Sequence, residues 1–268
     1  MSKTEQKIQS GPSKSDDDTP IISVENVCLN FEREHDQIPI LKDVSLTAAA
    51  GMFISITGPS GCGKSSLLRI IGGLLTASSG TVKLHGSPIT EPRNEIAMVF
   101  QNFVLLPWKT ALDNVMFGLK SRRDIPDEVA KEKCLRAINE AGLNGFENVY
   151  PGELSGGMKQ RIGIARALVL EPEVLLMDEP FSALDNLTAD HMRTEIYSLL
   201  INPSSPIKTV IMVSHNVEEI VELSDKVVVL SARPAHVVGG VDIDQPRPRS
   251  KKSEKFFDDE DRIYALLS

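Results

Sequence analysis

The stretch GPSGCGKS (58–65) constrains this chain more than any other. Before it stands the compact apolar run MFISIT (52–57). After it comes KSSLLRIIGGLL, in which Leu67, Leu68, Ile70, Ile71 and Leu74 form a broad apolar face at helical spacing. The order is therefore strand, glycine-rich turn, helix, with the helix stopping near Gly72–Gly73. Glycines let the backbone curl so that successive N–H groups point inward at an anion, and the helix beginning near Lys64 adds its positive N-terminal end. Gly58, Pro59, Ser60, Gly61, Cys62, Gly63, Lys64, Ser65 and Ser66 thus read as a phosphate cradle. Lys64 places a point charge on the β- and γ-phosphates of a nucleoside triphosphate, and Ser65 offers a hydroxyl to Mg²⁺.

The rest of the chain fits a fold with this turn at its centre. VLLM (174–177), TVIMVS (209–214) and KVVVL (226–230) are apolar on both parities, as parallel strands covered on both faces must be. Helix-like stretches such as NLTADHMRTEIYSLL (186–200) separate them, so the fold class is α/β with a mainly parallel sheet. IISVENVCLNF, from residue 21, alternates in a way that suits an edge strand. Between about 101 and 165 no strand is expected. PDEVAKEKCLRAINEAG (126–142) predicts a helix with Leu135 and Ile138 inward and Gly142 as its stop, and a second helix runs from Ser155 through ARALVL. Residues 1–20 hold one large apolar side chain beyond the first Met, Ile8, and predict a disordered tail. QPRPRSKKSEKFFDDEDRIYALLS at the other end reads as a solvated tail with a short amphipathic finish.

Composition excludes several classes. The formal charge of −8 argues against a chain that binds nucleic acid through overall basicity. Three cysteines, at 28, 62 and 134, are too scattered for a disulfide framework or a zinc site. No apolar run approaches the length of a bilayer span, and the N-terminus lacks the apolar core of a secretory signal. A soluble cytosolic chain is the expectation.

VLLMDE (174–179) supplies carboxylates to go with the cradle. An apolar strand ending in acids puts them at the strand's C-terminal edge, where open α/β sheets bind ligands. Asp178 is placed to hold Mg²⁺ through water. Glu179 is placed to accept a proton from, or to orient, an attacking water.

Beyond these two, further motifs stand in order. LSGGM (154–158) followed by KQRIGIARAL closely resembles the signature motif of ABC transporter ATP-binding subunits, and the resemblance covers about 21–248. GPSGCGKS is similar to its Walker A motif and VLLMDEP to its Walker B. Gln101 in VFQN resembles the Q-loop glutamine, SALD (182–185) the D-loop, and His215 in VSHN the switch histidine. The resemblance implies a P-loop ATPase core over 21–232 with an N-terminal antiparallel β portion, a helical subdomain inserted at about 101–165, and a C-terminal extension over 233–268. It implies ATP as substrate with Mg²⁺ held by Ser65, Gln101 and Asp178, and Glu179, Gln101 and His215 as catalytic groups. Ser155, Gly156 and Gly157 open a helix and form a second anion site. In this family that site faces the γ-phosphate on a second subunit, so two cassettes pair head to tail, with Asp185 coupling the two sites. Phe31 stands where the family has an aromatic stacked on adenine; the alternative is an ordinary core residue. Met158 departs from the family's Gln. Cys62, beside Lys64 and a helix N-terminus, is expected to be a reactive thiol whose alkylation blocks ATP binding.

The combination LLPW, LSGGMKQR, DEPFSALDNLT and QPRPR most resembles the nitrate/sulfonate/taurine-type importers. That implies a subunit peripheral to the cytoplasmic face of the membrane, joined to a permease through 101–119 and indirectly to an external solute-binding protein. Phe103, Leu105, Leu106, Pro107 and the single Trp, Trp108, supply the apolar surface for such a contact, unless Trp108 simply caps the local core. Three other readings compete: an importer subunit for another solute class, a non-transport ABC ATPase acting on nucleic acid or ribosomes, and a module that holds ATP without turnover.

Overall fold

Runs that are apolar on both parities need a sheet covered on both faces, and the chain builds one. The computed structural model describes residues 20–33, 36–122, 124–202 and 204–268, so nearly all of the disordered tail expected over 1–20 lies outside the described residues. In chain order the strands are β1 (Ile22–Arg33), β2 (Asp36–Ala48), β3 (Phe53–Thr57), β4 (Ser79–Leu84), β5 (Ser87–Pro88), β6 (Ile96–Val99), β7 (Val174–Asp178), β8 (Thr209–Val213), β9 (Lys226–Leu230) and β10 (Val237–Asp242). The helices are α1 (Lys64–Ile71), α2 (Ala111–Gly118), α3 (Asp127–Glu140), α4 (Gly156–Leu168), α5 (Asn186–Ile201), α6 (Val217–Leu223) and α7 (Glu254–Leu267). One sheet has the order β10-β9-β3-β8-β7-β6 and is parallel except for β10; the other, β2-β1-β4-β5, is antiparallel.

The two parities of the central strands feed two different cores. Ile54, Ile56, Leu176, Ile211, Val213 and Val228 pack with α1 and the antiparallel sheet. Phe53, Leu175, Met177, Val210, Met212, Val227 and Val229 pack with α4, α5, α6 and α7 on the opposite face. A third cluster, built on Val115, Cys134, Ile138, Leu143 and Ile162, lies among α2, α3 and α4. Among the described residues no strand lies between β6 and β7, so the described part of 101–165 is helical and irregular as the sequence predicts.

Four expectations need correction. β1 is not an edge strand, because it pairs with both β2 and β4. Its alternation comes from a sheet with one covered face, which interior and edge strands of an antiparallel sheet share. Leu135 is exposed; the inward face of α3 is Ala130, Cys134 and Ile138, spaced four apart, and Leu135 lies about 100° round from Cys134. α1 stops at Ile71, which leaves Leu74 exposed beyond it.

The fourth concerns the C-terminal stretch, which is no solvated tail. β10 adds to the sheet, and Arg249 is buried with its guanidinium donating to the carbonyls of Val221, Ser224, Ile243 and Gln245. Arg247 pairs with Asp225 at 2.8 Å and lies over the Tyr197 ring. α7 then seats Phe256 and Ile263 in the second core. Replacing Phe256 with Ala removes a ring that is 1% exposed and should destabilise the chain by about 3–5 kcal/mol, read as a lower urea midpoint at unchanged slope. A solvated tail would leave the midpoint where it is.

Candidate active site

Three loops leave one edge of the six-stranded sheet side by side. β8 lies between β3 and β7, with Val213 in register with Ile56 on one side and Asp178 on the other. The row continues past the strand ends: Glu179 N–H donates to Val213 O at 2.9 Å, and Ser214 N–H to Ile56 O at 3.3 Å. The turn after β3, the Asp178–Glu179 pair after β7 and His215 after β8 therefore emerge together.

The turn is shaped by two glycines in particular. A Cβ on Gly58 (φ +151) would stand 2.6 Å from Leu230 O, and one on Gly63 (φ +126) would stand 2.9 Å from the methyls of Ile40 and Leu41. Only glycine allows both the conformation and the approach. Pro59, Ser60 and Gly61 form the exposed tip. Lys64 is 8% exposed, and its Nζ donates to Gly58 O at 2.7 Å and Pro59 O at 3.0 Å. Its charge thus lies within the curl of the turn, held by two backbone carbonyls. Ser65, in the first turn of α1, donates its Oγ to Asp178 Oδ1 at 3.0 Å, with Ser66 half-buried beside it. Cys62 turns away, 2% exposed in the first core cluster. That corrects the expectation of a reactive thiol, because an alkylating reagent has no path to it.

Asp178 is buried, and burial pushes its carboxyl above the ordinary carboxylate range. The Ser65 hydroxyl, Arg69 and Lys64 act against the rise, and Glu179 adds to it. A buried carboxylate next to a hydroxyl is an oxygen donor pair of the kind Mg²⁺ prefers, and a dication offsets the charge that burial disfavours. Ser65 and Asp178 fit the ion on this ground. Glu179 adopts a left-handed φ of +48°, and its Oε2 lies 2.7 Å from His215 Nδ1. A carboxylate only accepts, so the imidazole donates through Nδ1 and leaves Nε2 free to turn outward. Glu179 is largely covered while the His215 side chain is 69% exposed, so the histidine forms the outer member of the pair. Gln101 lies two residues past Val99, which is in register with Met177 of β7; it stands exposed on the same edge, one strand further along.

The remaining predicted residues lie apart from this cluster. Ser155 caps α4, its Oγ accepting from Met158 N–H at 3.2 Å, and Ser155 and Gly156 are exposed. α4 packs on β6, three strands from β3, which is a lateral offset of about 14 Å at ordinary strand spacing. Met158 packs into the helical cluster, a place its thioether suits. Asp185 caps α5; its bond from Thr188 N–H at 3.0 Å holds its carboxyl below the ordinary range, helped by the Thr188 hydroxyl at 2.8 Å. Phe31 is 45% exposed and Trp108 is 72% exposed, so neither is a core residue.

Two arginines escaped the sequence reading. Arg233, in the loop after β9, donates its Nε to Gly61 O across 172 residues. Arg166 of α4 donates to Phe103 O and Val104 O, both at 2.7 Å, clamping two residues held at left-handed φ. Neither contact has a local sequence signal.

Residues 41–182, just over half of the chain, match the ABC transporter family. The chain belongs to the ABC transporter family. It is 42% identical over 246 residues to an uncharacterised ABC transporter ATP-binding protein of Methanocaldococcus jannaschii, covering 92% of this chain and 91% of the other. It is 37% identical over 235 residues to the aliphatic sulfonates import ATP-binding protein SsuB of Bacillus cereus, covering 88% and 91%. The taurine import ATP-binding protein TauB of Yersinia pestis is 41% identical over 205 residues, covering 76% and 79%. Among solved structures, a dimeric ATP-binding cassette in a post-hydrolysis state with ADP and phosphate superposes with a TM-score of 0.75 at 30% identity, covering 84% of this chain and all of that one. The matched ABC segment carries the glycine-rich turn, Gln101, the Ser155 cap and Asp178–Glu179, while Asp185 and His215 follow it.

Cysteine reactivity gives a direct check on this cassette's turn. Cys134 is fully buried, and burial pushes its thiol up to about 11. Only Cys28 is part-exposed. Ellman's reagent at mildly alkaline pH should therefore titrate Cys28 alone in the native chain and all three thiols after unfolding. Rapid native labelling of Cys62 would show that the turn opens.

Proposed function

We propose that the chain is the ATP-binding and hydrolysing subunit of an ABC importer, powering uptake of a small anion of the sulfonate, taurine or nitrate kind through a separate permease. The observation that carries the hydrolytic part is the register of β3, β8 and β7. It gathers Lys64, Ser65, Asp178, Glu179 and His215 at one edge. The anion class follows the sulfonate and taurine importers named among the relatives.

In this reading the turn's backbone N–H groups and Lys64 grip the phosphates, Lys64 exchanging its two carbonyl partners for β- and γ-phosphate oxygens. Ser65 and Asp178, with Gln101 on the same edge, would hold Mg²⁺, which would supply positive charge to the bound phosphates. Glu179 orients the attacking water and takes its proton. His215, held through Nδ1 by Glu179, turns Nε2 to the γ-phosphate and stabilises charge as the bond to the leaving oxygen breaks. Phe31, an exposed ring on the antiparallel sheet, stacks on adenine. The chemistry is positioning plus electrostatic stabilisation.

One copy holds both anion sites but not together. Ser155–Gly157 open a helix that packs on β6, three strands from the β3 that leads into the glycine-rich turn, so in this reading the γ-phosphate meets such a site only on a second cassette, identical or related, placed head to tail. Asp185, exposed at the cap of α5, then stands between the two sites. Val104, Trp108 and Phe117, all exposed in the segment after Gln101, offer the apolar surface for a permease. Among the described residues no helix is long and apolar enough to cross a membrane. In this reading the subunit acts from the cytoplasmic face through that partner.

Glu179→Gln should lower kcat by at least about a hundredfold while ATP still binds, and should trap an ATP-bound dimer on size exclusion. Hydrolysis at the wild-type rate would remove Glu179 from its role. Trp108→Ala should reduce copurification with the permease by about tenfold, as for an interface hot spot, and leave ATP binding by the free subunit unchanged. Undiminished copurification would move the permease contact elsewhere.

A further inference from the structure

We propose that Arg193 and Glu219 are positioning residues of the hydrolytic site: a buried ion pair that holds the segment carrying Glu179 and the segment carrying His215 at a fixed separation. The inference rests on the hydrolytic reading and concerns what stands behind the Glu179–His215 pair.

Glu219 lies on α6, and its side chain is 8% exposed. Its two carboxylate oxygens are committed to two different elements. Oε1 accepts from Arg193 NH1 at 3.2 Å, and Oε2 accepts from the Ser214 hydroxyl at 2.6 Å. Ser214 is the residue before His215, and its Oγ also accepts from Asn216 N–H at 3.1 Å, the residue after it. The peptide on both sides of His215 is thus tied to one hydroxyl, and that hydroxyl to Glu219. The histidine itself remains exposed and makes its contact at 2.7 Å with Glu179.

Arg193 holds the other end. It lies on α5, the helix capped by Asp185, and its side chain is 10% exposed. Besides Glu219, the guanidinium meets Asp190 and, at 3.3 Å, Glu222. It also lies over the Phe181 ring, 5.7 Å from its centre. Phe181 is two residues past Glu179, whose left-handed backbone is braced by Ser182 donating to its carbonyl at 3.0 Å. One guanidinium therefore touches the turn leaving β7 and, through Glu219 and Ser214, the turn leaving β8.

A buried ion pair is weak as a source of stability, because desolvation offsets most of the attraction. A planar guanidinium is strong as a source of geometry when its nitrogens face different partners, and here NH1 bonds Glu219, NH2 bonds Asp190 and Nε lies beside Glu222, so its orientation is fixed from several sides. With both Glu219 oxygens engaged, a shift of α5 is carried to His215 through two hydrogen bonds. The D-loop helix and the switch histidine are thereby coupled within one copy.

The test compares Glu219→Gln, Ser214→Ala, Arg193→Lys and the double variant Glu219→Gln/Ser214→Ala with the wild-type chain. Positioning predicts that kcat falls by about tenfold or more while KM for ATP stays within about twofold, since Lys64 and Ser65 are untouched. The double variant should be no slower than the slower single one, because both changes cut the same tie. Arg193→Lys, which keeps the charge and loses the fork, should fall between. The His215 Cε1–H resonance, identified by its loss in His215→Ala, should shift in Glu219→Gln and in Ser214→Ala. Additive losses, or kcat and KM worsening together with a lower melting temperature, would mean general loosening and overturn the proposal. So would an unmoved His215 resonance. Should the wild-type chain not hydrolyse ATP, the hydrolytic reading fails and the His215 resonance alone decides the positional claim. Should Glu219→Gln not fold, Ser214→Ala, which removes one oxygen atom, carries the same test.

Discussion

Everything at the candidate active site depends on where one strand sits. β8 is fully buried, apolar on both faces, and flanked in parallel by β3 and β7. Parallel pairing sends all three C-terminal ends the same way, and the row Ile56–Val213–Asp178 sets their heights. A slip of one residue in β8 would invert its faces, putting Val210 and Met212 where Ile211 and Val213 belong. It would also carry Ser214 and His215 away from Glu179. The two cores that sandwich the sheet thus enforce a register that has its chemical consequence at the edge.

Around that edge the molecule is assembled from ties of very different span. The Ser65–Asp178 bond joins the first and third loops across β8. Arg233 fastens the tip of the glycine-rich turn to the loop after β9, the strand beside β3. Arg166 fastens the helix that opens at Ser155 to the backbone just beyond Gln101. Arg193 and Glu219 join α5 to α6. Arg166 and Arg193 are largely covered and committed to carbonyls or carboxylates, so solvent and salt screen them less than the exposed Lys83–Glu25 or Arg136–Glu132 pairs, whereas Arg233 is itself exposed.

What was legible in the sequence was whatever is local. The glycine-rich turn, the acids ending VLLMDE and the serine capping α4 each declare themselves within a few residues, because the chemistry needs those types at fixed spacing. The two-sided apolarity of β7, β8 and β9 likewise announced a covered sheet. Periodicity was less certain at the margin: Cys134 and Leu135 stand four and three residues before Ile138, so either fits an apolar stripe with it, and only packing decides which faces inward. The C-terminal stretch misled for a physical reason. Its prolines and charges have the composition of a solvated linker, yet Arg249 is buried because carbonyls from four residues converge on it. No composition shows a convergence of backbone groups from distant positions. The same holds for Arg193 and Glu219, 26 residues apart and ordinary in sequence.

Asp178 gives the fold a dependence on its surroundings. Its carboxyl is raised by burial, so the chain's own residues favour the protonated form more than an unfolded chain does. The associated stability is therefore fully present in acid, below the ordinary carboxylate range, and is lost as pH rises through the raised value. Above that raised value the charge is carried at the expense of the folded state. Anything that supplies positive charge between Ser65 and Asp178 returns that free energy to the whole domain, by the mass action that links binding to folding. The melting temperature of such a chain is then as much a reading of the cation and nucleotide concentrations around it as a property of its sequence.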